Sequence, residues 1–254
     1  MRLLLPTLAL TMQSKDTITF HALHEISLKD MKAVERLKPR SEILNLAATT
    51  GQLAAHFKDG DTVTDSEDKE RLEETMGKLL IGLVRAARVC SLDLCRCIKA
   101  KIALNAKKYP VELCKGKAGK YTTYSNETGI TKTAGQSTVK DVFDATNDTT
   151  DDTVENISAM VSHFVHERNW SQFHTPRNLC LALIGELGEL CELFQWAGDN
   201  GEGGSSFGLH GWTEDEVDKV GQELADVSIY LLRLASESDV DIGKAAMRVA
   251  ENSC

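Results

Sequence analysis

Two long segments in the second half of the chain combine helical periodicity with paired carboxylates, and they constrain the fold more than any other feature. Residues 177–196 and 213–237 place apolar residues at steps of three and four, which is the spacing of an amphipathic helix. Only four prolines occur in 254 residues, and aromatic residues make up 6%. Alternating strand patterns are scarce. The sequence therefore predicts an all-α protein.

A glycine-rich loop over residues 197–211 separates these two helices. Thr213 followed by Glu216 has the spacing of a capping box, which predicts the start of the second helix. An irregular stretch over residues 112–152 is rich in Thr, Asp, Gly, Ser and Asn. Its composition predicts an inter-domain linker.

The sequences on either side of this linker match each other in order. Pro39 corresponds to Pro176 at an offset of 137 residues, and residues 83–94 overlay residues 231–242 at an offset of 148. The offset grows because the second copy has the longer glycine-rich loop. Two amphipathic helices can align by chance, but the shared order of Pro-Arg, Gly, Phe and Arg-Ala positions favours an internal duplication. The predicted units are residues 17–111, a linker over 112–152, and residues 153–254.

Charge is divided unevenly between the halves. Residues 1–125 contain 21 Lys and Arg against 15 Asp and Glu, whereas residues 126–254 contain 8 against 23. The asymmetry indicates that the halves have different tasks. Because the net charge of −9 has the wrong sign for a general nucleic-acid-binding protein, we expect no nucleic-acid partner.

Cysteine usage and hydropathy predict the compartment. Seven cysteines are scattered without a CxxC pair, which favours reduced thiols and a cytoplasmic protein. Residues 1–12 are apolar and could be the remnant of a targeting signal, but they lack a clear cleavage site. They are too short to span a bilayer, and no other stretch is apolar enough. We therefore expect no membrane partner.

Each of the two helices carries a pair of carboxylates at i, i+3 within apolar sequence. The pairs are Glu186 with Glu189, and Glu223 with Asp226. A single pair of this kind usually belongs to a solvated helix face, but four carboxylates on facing helices would repel each other unless a cation neutralised them. Such oxygen ligands suit Mg²⁺ or Mn²⁺, and Mg²⁺ also binds substrate phosphates. No catalytic triad, P-loop or GxGxxG pattern competes with this interpretation.

The segments around these carboxylates resemble a known family. NWSQFHTPRNL (169–179), GELGELCELFQW (185–196) and QELADVSIYLLRLA (222–235) are similar to the all-α NTP pyrophosphatases of the MazG-like superfamily, closest to the dCTP pyrophosphatase family. The resemblance covers about residues 154–251. It implies tandem MazG-like four-helix-bundle units that form a pseudo-dimer. It also implies Mg²⁺-dependent hydrolysis of dCTP, or of related modified dNTPs, to the dNMP and pyrophosphate in nucleotide-pool sanitation.

The resemblance assigns roles to individual residues. The implied metal ligands are Glu186, Glu189, Glu223 and Asp226. The implied substrate-binding residues are Trp170, Ser171, Gln172, Phe173, His174, Trp196 and Tyr230. Aromatic faces are suited to stacking on a nucleobase, and Tyr230 lies one turn beyond Asp226 on the same helical face. Phe173 and Trp196 could equally be ordinary core residues.

Two further positions bear on this assignment. The family usually has a His where this chain has Val161, and His163 lies nearby but on a different helical face. The base preference is therefore open. Arg177 has a counterpart in Arg40, which favours a structural ion pair for Arg177.

The first unit lacks the residues of the implied site. The four metal ligands correspond to Thr49, Gln52, Thr75 and Lys78, and Trp170 and His174 correspond to Ala33 and Leu37. We therefore predict that the first unit binds neither metal nor base. It keeps residues 93–110, which resemble the family's last helix, whose substrate-contacting Lys and Asn are here Lys101 and Asn105. The second unit has Val249 and Ser253 at those places, so we predict that Lys101 and Asn105 reach across to the triphosphate.

Two other classes of function stay open: a non-catalytic nucleotide-binding or interaction protein derived from this fold, and a plain helical scaffold with solvated acids. Metal-dependent release of pyrophosphate separates the enzyme from the binding protein. A melting temperature that rises with metal separates a real site from the scaffold. Because the family assembles its sites across subunits, we expect a homo-oligomer or an intramolecular pseudo-dimer.

Overall fold

The structure, a computed structural model, describes residues 17–27, 38–117, 152–196 and 208–252. Several sequence predictions lie outside these residues. They are the candidate targeting segment, the linker from residue 118 to residue 151, residues 197–207 of the glycine-rich loop, and the positions of Ala33, Leu37 and Ser253.

The described residues are almost entirely helical. Besides a short 3-10 helix at Ser171–Phe173, the elements are α1 (Phe20–Ser27), α2 (Pro39–His56), α3 (Ser66–Val89), α4 (Leu94–Lys108), α5 (Val111–Cys114), α6 (Val154–Glu167), α7 (Pro176–Phe194), α8 (Glu214–Glu237) and α9 (Ile242–Asn252). Within the described ranges the only β-type pairing is an isolated antiparallel bridge between Thr19 and Thr153. The predicted all-α class is confirmed. None of these helices is long and apolar enough to cross a membrane.

The two helices predicted around the carboxylates form where the local signals place them. In α7, Pro176 occupies the first turn, and the side chain of Thr175 accepts a hydrogen bond from the backbone N–H of Asn178. In α8, Thr213 and Glu216 form both hydrogen bonds of the predicted capping box. The sequence predicted residues 177–196 and 213–237, so the errors are at most two residues at each end.

Two long central helices, α3 and α8, organise the packing. Helix α2 packs along α3, and α7 packs along α8, so each half contains a helical hairpin. The shorter helices cross over: α4 from the first half packs on α8, and α9 from the second half packs on α3. One continuous apolar core therefore runs through both halves, from Leu23 and Leu46 to Leu183 and Leu231.

Small residues allow the crossing helices to approach closely. A Cβ atom added at Gly77 in α3 would lie 2.7 Å from the backbone carbonyl of Ala245 in α9. A Cβ atom added at Gly221 in α8 would lie 3.2 Å from Sγ of Cys97 in α4. At Gly77 the backbone of α9 fills the space beside α3, whereas at Gly221 a side chain of α4 fills the space beside α8.

Ion pairs also connect the first half with residues from 152 onward. Nζ of Lys99 lies 2.5 Å from Oδ2 of Asp152, and Nη2 of Arg248 lies 2.6 Å from Oε2 of Glu73. The helices follow the same order in both halves, and the matched Pro39 and Pro176 each lie in the first turn of a helix. The internal duplication itself stays a prediction.

Candidate functional site

Three carboxylates from the facing helices α7 and α8 converge into one cluster. Carboxylate oxygens of Glu186, Glu189 and Glu223 lie within 4.8 Å of one another. The i, i+3 spacing puts Glu186 and Glu189 on one face of α7, and the packing of α7 along α8 brings Glu223 opposite them. Glu186 and Glu223 are half-buried, whereas Glu189 is exposed. The structure thus brings together three of the four implied metal ligands.

Burial makes this cluster electrostatically unfavourable on its own. Desolvation, together with the nearby charge of Asp226, raises the pKa of Glu186 to about 7. Burial likewise raises the pKa of Glu223 to about 7, and it raises the pKa of Asp226. Oε2 of Glu223 is buried and has no hydrogen-bond partner among the described residues. A set of oxygen donors with an unsatisfied buried atom fits a hard divalent cation.

Asp226, the fourth implied ligand, is held by a cation from the first half of the chain. Nζ of Lys101 on α4 lies 2.5 Å from Oδ2 of Asp226, and it donates a hydrogen bond to Oε1 of Gln222 at 3.3 Å. Asn105, one turn further along α4, lies close enough to Asp226 to offset part of the rise in the pKa of that carboxyl. The side chains of Lys101 and Asp226 are 12% and 14% exposed. Lys101 and Asn105 therefore lie beside the carboxylates, while their contact with a triphosphate stays a prediction.

Trp170, an implied base-stacking residue, is held by residues 109–117, which follow α4 and which we call the strap. Its indole Nε1 donates a hydrogen bond to the carbonyl oxygen of Cys114 at 3.2 Å. Its ring packs edge-on against Tyr109 and Phe164, with centroid distances of 5.3 and 5.8 Å. The first half thus contacts the implied base-stacking residue Trp170 as well as the acidic cluster.

Arg168 fastens the strap from the second half. Its guanidinium is almost fully buried, and Nε donates to the carbonyl oxygen of Tyr109 at 2.9 Å. The backbone N–H of Gly116 in turn donates to the carbonyl oxygen of Arg168 at 2.8 Å. Residues 112–117, predicted as the start of the linker, therefore pack against the second half. Arg168 could not be identified from the sequence, because a single Arg beside a loop gives no sign that its guanidinium is buried.

The residues between Trp170 and α7 form a compact turn. Ser171 and Gln172 are exposed in the 3-10 helix, and Nε2 of Gln172 donates to the carbonyl oxygen of Asn169 at 2.8 Å. Nδ1 of His174 is buried without a hydrogen-bond partner among the described residues. Burial, followed by the charge of Arg233, lowers the pKa of His174 to about 4. His174 is therefore neutral at pH 7.

The other aromatic residues that the resemblance assigns to the pocket differ in their surroundings. Tyr230 is half-buried, and burial followed by the negative charges of Glu186 and Asp226 raises its pKa. Its phenol therefore stays protonated beside the cluster. Trp196 is 89% exposed at the end of α7, which excludes the alternative that it is a core residue. Phe173 is half-buried and lies outside the main core cluster.

Val161 and Arg177, the two further positions singled out from the sequence, both have a structural role. Val161 is buried in the core, whereas Nε2 of His163 lies 3.5 Å from Glu167 on an exposed face of α6. His163 therefore does not replace the family's histidine. The guanidinium of Arg177 donates to the carbonyl oxygen of Lys58 at 3.4 Å. The expected ion pair is corrected to a contact with a backbone carbonyl of the first half.

The corresponding region of the first half is arranged differently. Nζ of Lys78, at the position of Asp226, pairs with Glu74 at 2.7 Å. Thr75, at the position of Glu223, donates to the carbonyl oxygen of Arg71 at 2.7 Å. Gly82 corresponds to Tyr230, and the space for its side chain is filled by Leu46, which lies 2.9 Å from an added Cβ atom. Of the other two matched positions, Thr49 donates to the carbonyl oxygen of Asn45, and Gln52 is exposed.

One stretch of the chain has curated relatives. Over 95 residues it is 48% identical to dCTP pyrophosphatase 1 of Homo sapiens, and 45% identical to the proteins of that name from Rattus norvegicus and Mus musculus. The stretch is homologous to dCTP pyrophosphatase 1. It covers 37% of this chain and 53% of each relative, so the chain spans about half the length of the curated relatives it matches. Homology to dCTP pyrophosphatase 1 is consistent with a MazG-like helical fold. No protein-family profile matches the chain.

Proposed function

We propose that the chain is a Mg²⁺-dependent nucleoside triphosphate pyrophosphatase that hydrolyses dCTP, or related modified dNTPs, to the dNMP and pyrophosphate. Its role would be sanitation of the nucleotide pool. The observation that carries the proposal is the convergence of Glu186, Glu189 and Glu223 beside the Lys101–Asp226 pair. The homology to dCTP pyrophosphatase 1 supports the same class of reaction.

The acidic side of the site would bind the metal and the triphosphate. The four carboxylates would hold Mg²⁺ or Mn²⁺. When bound, the cation would neutralise phosphate oxygens and increase the electrophilicity of the α-phosphorus. Lys101 would offset phosphate charge, and the amide of Asn105 would donate to a phosphate or sugar oxygen.

The chain's own groups account for the remaining chemistry. A carboxylate oxygen of the cluster would accept a hydrogen bond from a water and orient it in line with the α-phosphorus. This water would form the new bond to the α-phosphorus and pass a proton to the carboxylate, while the bond to the bridging oxygen breaks and pyrophosphate leaves. The products are the monophosphate and pyrophosphate.

The aromatic side of the site would bind the base. The half-buried Trp170, fixed by the strap, and the exposed Trp196 offer faces on which a nucleobase can stack, worth about 1–3 kcal/mol for each stack. Ser171, Gln172, Phe173, His174 and Tyr230 would complete the pocket. With Val161 in the place of the family's histidine, the base preference has to be measured.

The two halves would divide the work in a pseudo-dimer with one site per chain. The second half supplies the carboxylates, and the first half supplies Lys101 and Asn105. The first-half region would bind no metal, because Lys78 stands where Asp226 stands in the other half and pairs with Glu74. The six described cysteines are free thiols, which supports the expectation of a cytoplasmic protein.

Release of pyrophosphate from a panel of canonical and modified dNTPs, with and without Mg²⁺, tests the proposed function. We expect Mg²⁺-dependent turnover that falls by orders of magnitude in Glu186→Gln, which keeps the size of the side chain but removes a charged ligand. Glu192→Gln is the matched control, because Glu192 is exposed on the same helix outside the cluster. Tight nucleotide binding without pyrophosphate release would instead favour the non-catalytic binding protein.

A further inference from the structure

The Lys101–Asp226 pair occupies an acidic site that is otherwise suited to a divalent cation. Three carboxylates form the convergent group, but Asp226 is not part of it. Instead, Oδ2 of Asp226 lies 2.5 Å from Nζ of Lys101. Because Oδ2 already pairs with an ammonium group, Asp226 offers less negative charge to a metal ion than an unpaired carboxylate would. A positive charge beside the cluster also raises the free energy of a divalent cation bound there.

The packing of the two halves against each other fixes the position of Lys101. Helix α4 packs on α8, where Sγ of Cys97 fills the space beside Gly221, one turn before Lys101. Gln222, one turn before Asp226, accepts a second hydrogen bond from Lys101. An ammonium group has three donors, so Asp226 and Gln222 use two of them. The third can serve a phosphate oxygen.

We propose that Lys101 competes with the metal for Asp226 until a triphosphate draws the ammonium away, so that metal and nucleotide bind cooperatively. This inference rests on the proposed function, because it takes the carboxylates as metal ligands. The triphosphate has enough negative charge to replace Asp226 as the partner of Lys101. Asp226 then turns to the metal. Free metal therefore binds weakly, and it binds tightly only together with the substrate.

Binding of Mn²⁺ alone, measured by electron paramagnetic resonance on the full chain, tests the competition. Lys101→Met removes the charge and keeps the length of the side chain. At about pH 8.5, where the carboxylates are ionised, we expect Lys101→Met to bind Mn²⁺ at least about tenfold more tightly than the original chain. Lys107→Met is the control, since Lys107 is exposed on the same helix and the change in net charge is the same. Its Mn²⁺ affinity should be unchanged.

A second measurement separates this role from a merely structural one. At saturating Mn²⁺, a dCTP analogue with a non-hydrolysable α,β bridge should bind at least about tenfold more weakly to Lys101→Met, because one charge-assisted contact to phosphate is lost. A structural defect would weaken both ligands. Lys101→Gln, which is neutral but polar, should repeat the pattern if the Met variant is poorly folded.

Equal or weaker Mn²⁺ binding in both Lys101 variants would overturn the competition, even if the chain hydrolyses dNTPs. Unchanged affinity for the analogue would overturn the transfer of Lys101 to the triphosphate. Tighter Mn²⁺ binding and weaker binding of the analogue, in a chain that releases no pyrophosphate, would support this inference while contradicting the proposed enzymatic function.

Discussion

At the scale of single residues, burial of the acidic cluster lowers the stability of the folded chain when its carboxylates are ionised. Burial raises the pKa of Glu186 from its usual value of 4.5 to about 7, so the folded chain holds a proton there that the unfolded chain releases. Between pH 4.5 and about pH 7 the folded state therefore binds more protons than the unfolded state. The free energy of unfolding contributed by Glu186 therefore falls as pH rises from 4.5 to 7.

Urea denaturation of the metal-free protein, in EDTA at several pH values between 4.5 and 7.5, measures this effect. We expect Glu186→Gln to gain stability relative to the original chain as pH rises, because Gln does not titrate. Glu223 has a raised pKa as well, so part of the pH dependence should remain in the variant. His174 acts in the opposite direction, since its lowered pKa removes stability as pH falls below 6.5. The comparison of variant with original chain cancels this contribution.

The exposed Glu192→Gln is the control for this measurement, and its stability difference should stay constant over the same range. A Glu186→Gln difference that is equally constant would show that Glu186 is ionised normally in the folded chain. This result would contradict the conclusion that burial destabilises the ionised carboxylates of the cluster.

At the scale of the helices, the tight crossing of α3 and α9 depends on Gly77. Gly77→Ala places a Cβ atom 2.7 Å from the backbone of Ala245. Backbone atoms, unlike the end of a flexible side chain, cannot move aside unless the whole helix shifts. Overpacking of this kind costs about 1–3 kcal/mol, so we expect the free energy of unfolding to fall by that amount. Equilibrium urea denaturation at 25 °C measures it.

Gly51→Ala in α2 is the matched control. Gly51 also lies inside a helix, but an added Cβ atom there meets nothing within 4 Å. Alanine favours a helix over glycine by about 1 kcal/mol, so this variant should be more stable than the original chain. Equal effects of the two substitutions would mean that α9 does not press against α3 at Gly77.

The helices themselves could be predicted from sequence, and their crossings could not. Thr213 and Glu216 lie three residues apart, so the capping box that starts α8 is a local property. The contact between Lys101 and Gln222 joins residues 121 positions apart. Nothing in either local sequence gives the angle at which α4 meets α8. The family resemblance pointed to Lys101 and Asn105, but not to Gln222 or to the strap around Trp170.

At the scale of the whole molecule, the two halves share one core. Helix α4 of the first half packs on α8, and α9 of the second half packs on α3, so neither half can unfold without uncovering apolar surface of the other. The sequence predicted two units because the motifs repeat. Repetition does not show whether two copies pack side by side or exchange helices.

We therefore expect the described parts of both halves to unfold in one cooperative transition. The three tryptophans all lie in the second half, so their fluorescence reports on that half. The buried thiols of Cys90, Cys95 and Cys97 lie in the first half, and their labelling by a thiol reagent reports on it. Both probes should give the same urea midpoint. Two separate midpoints would show that the halves unfold independently despite the exchanged helices.

The contact between Lys101 and Asp226 also has a genetic consequence. When a site is shared between identical subunits, two different defective alleles can complement each other, because a mixed oligomer contains some intact sites. Here both residues of the contact belong to one polypeptide, so an allele defective at residue 101 and an allele defective at residue 226 each leave every copy of the site damaged. Co-expression of two such alleles would restore nothing. If the site acts as proposed, the two halves would be inherited as a single functional unit.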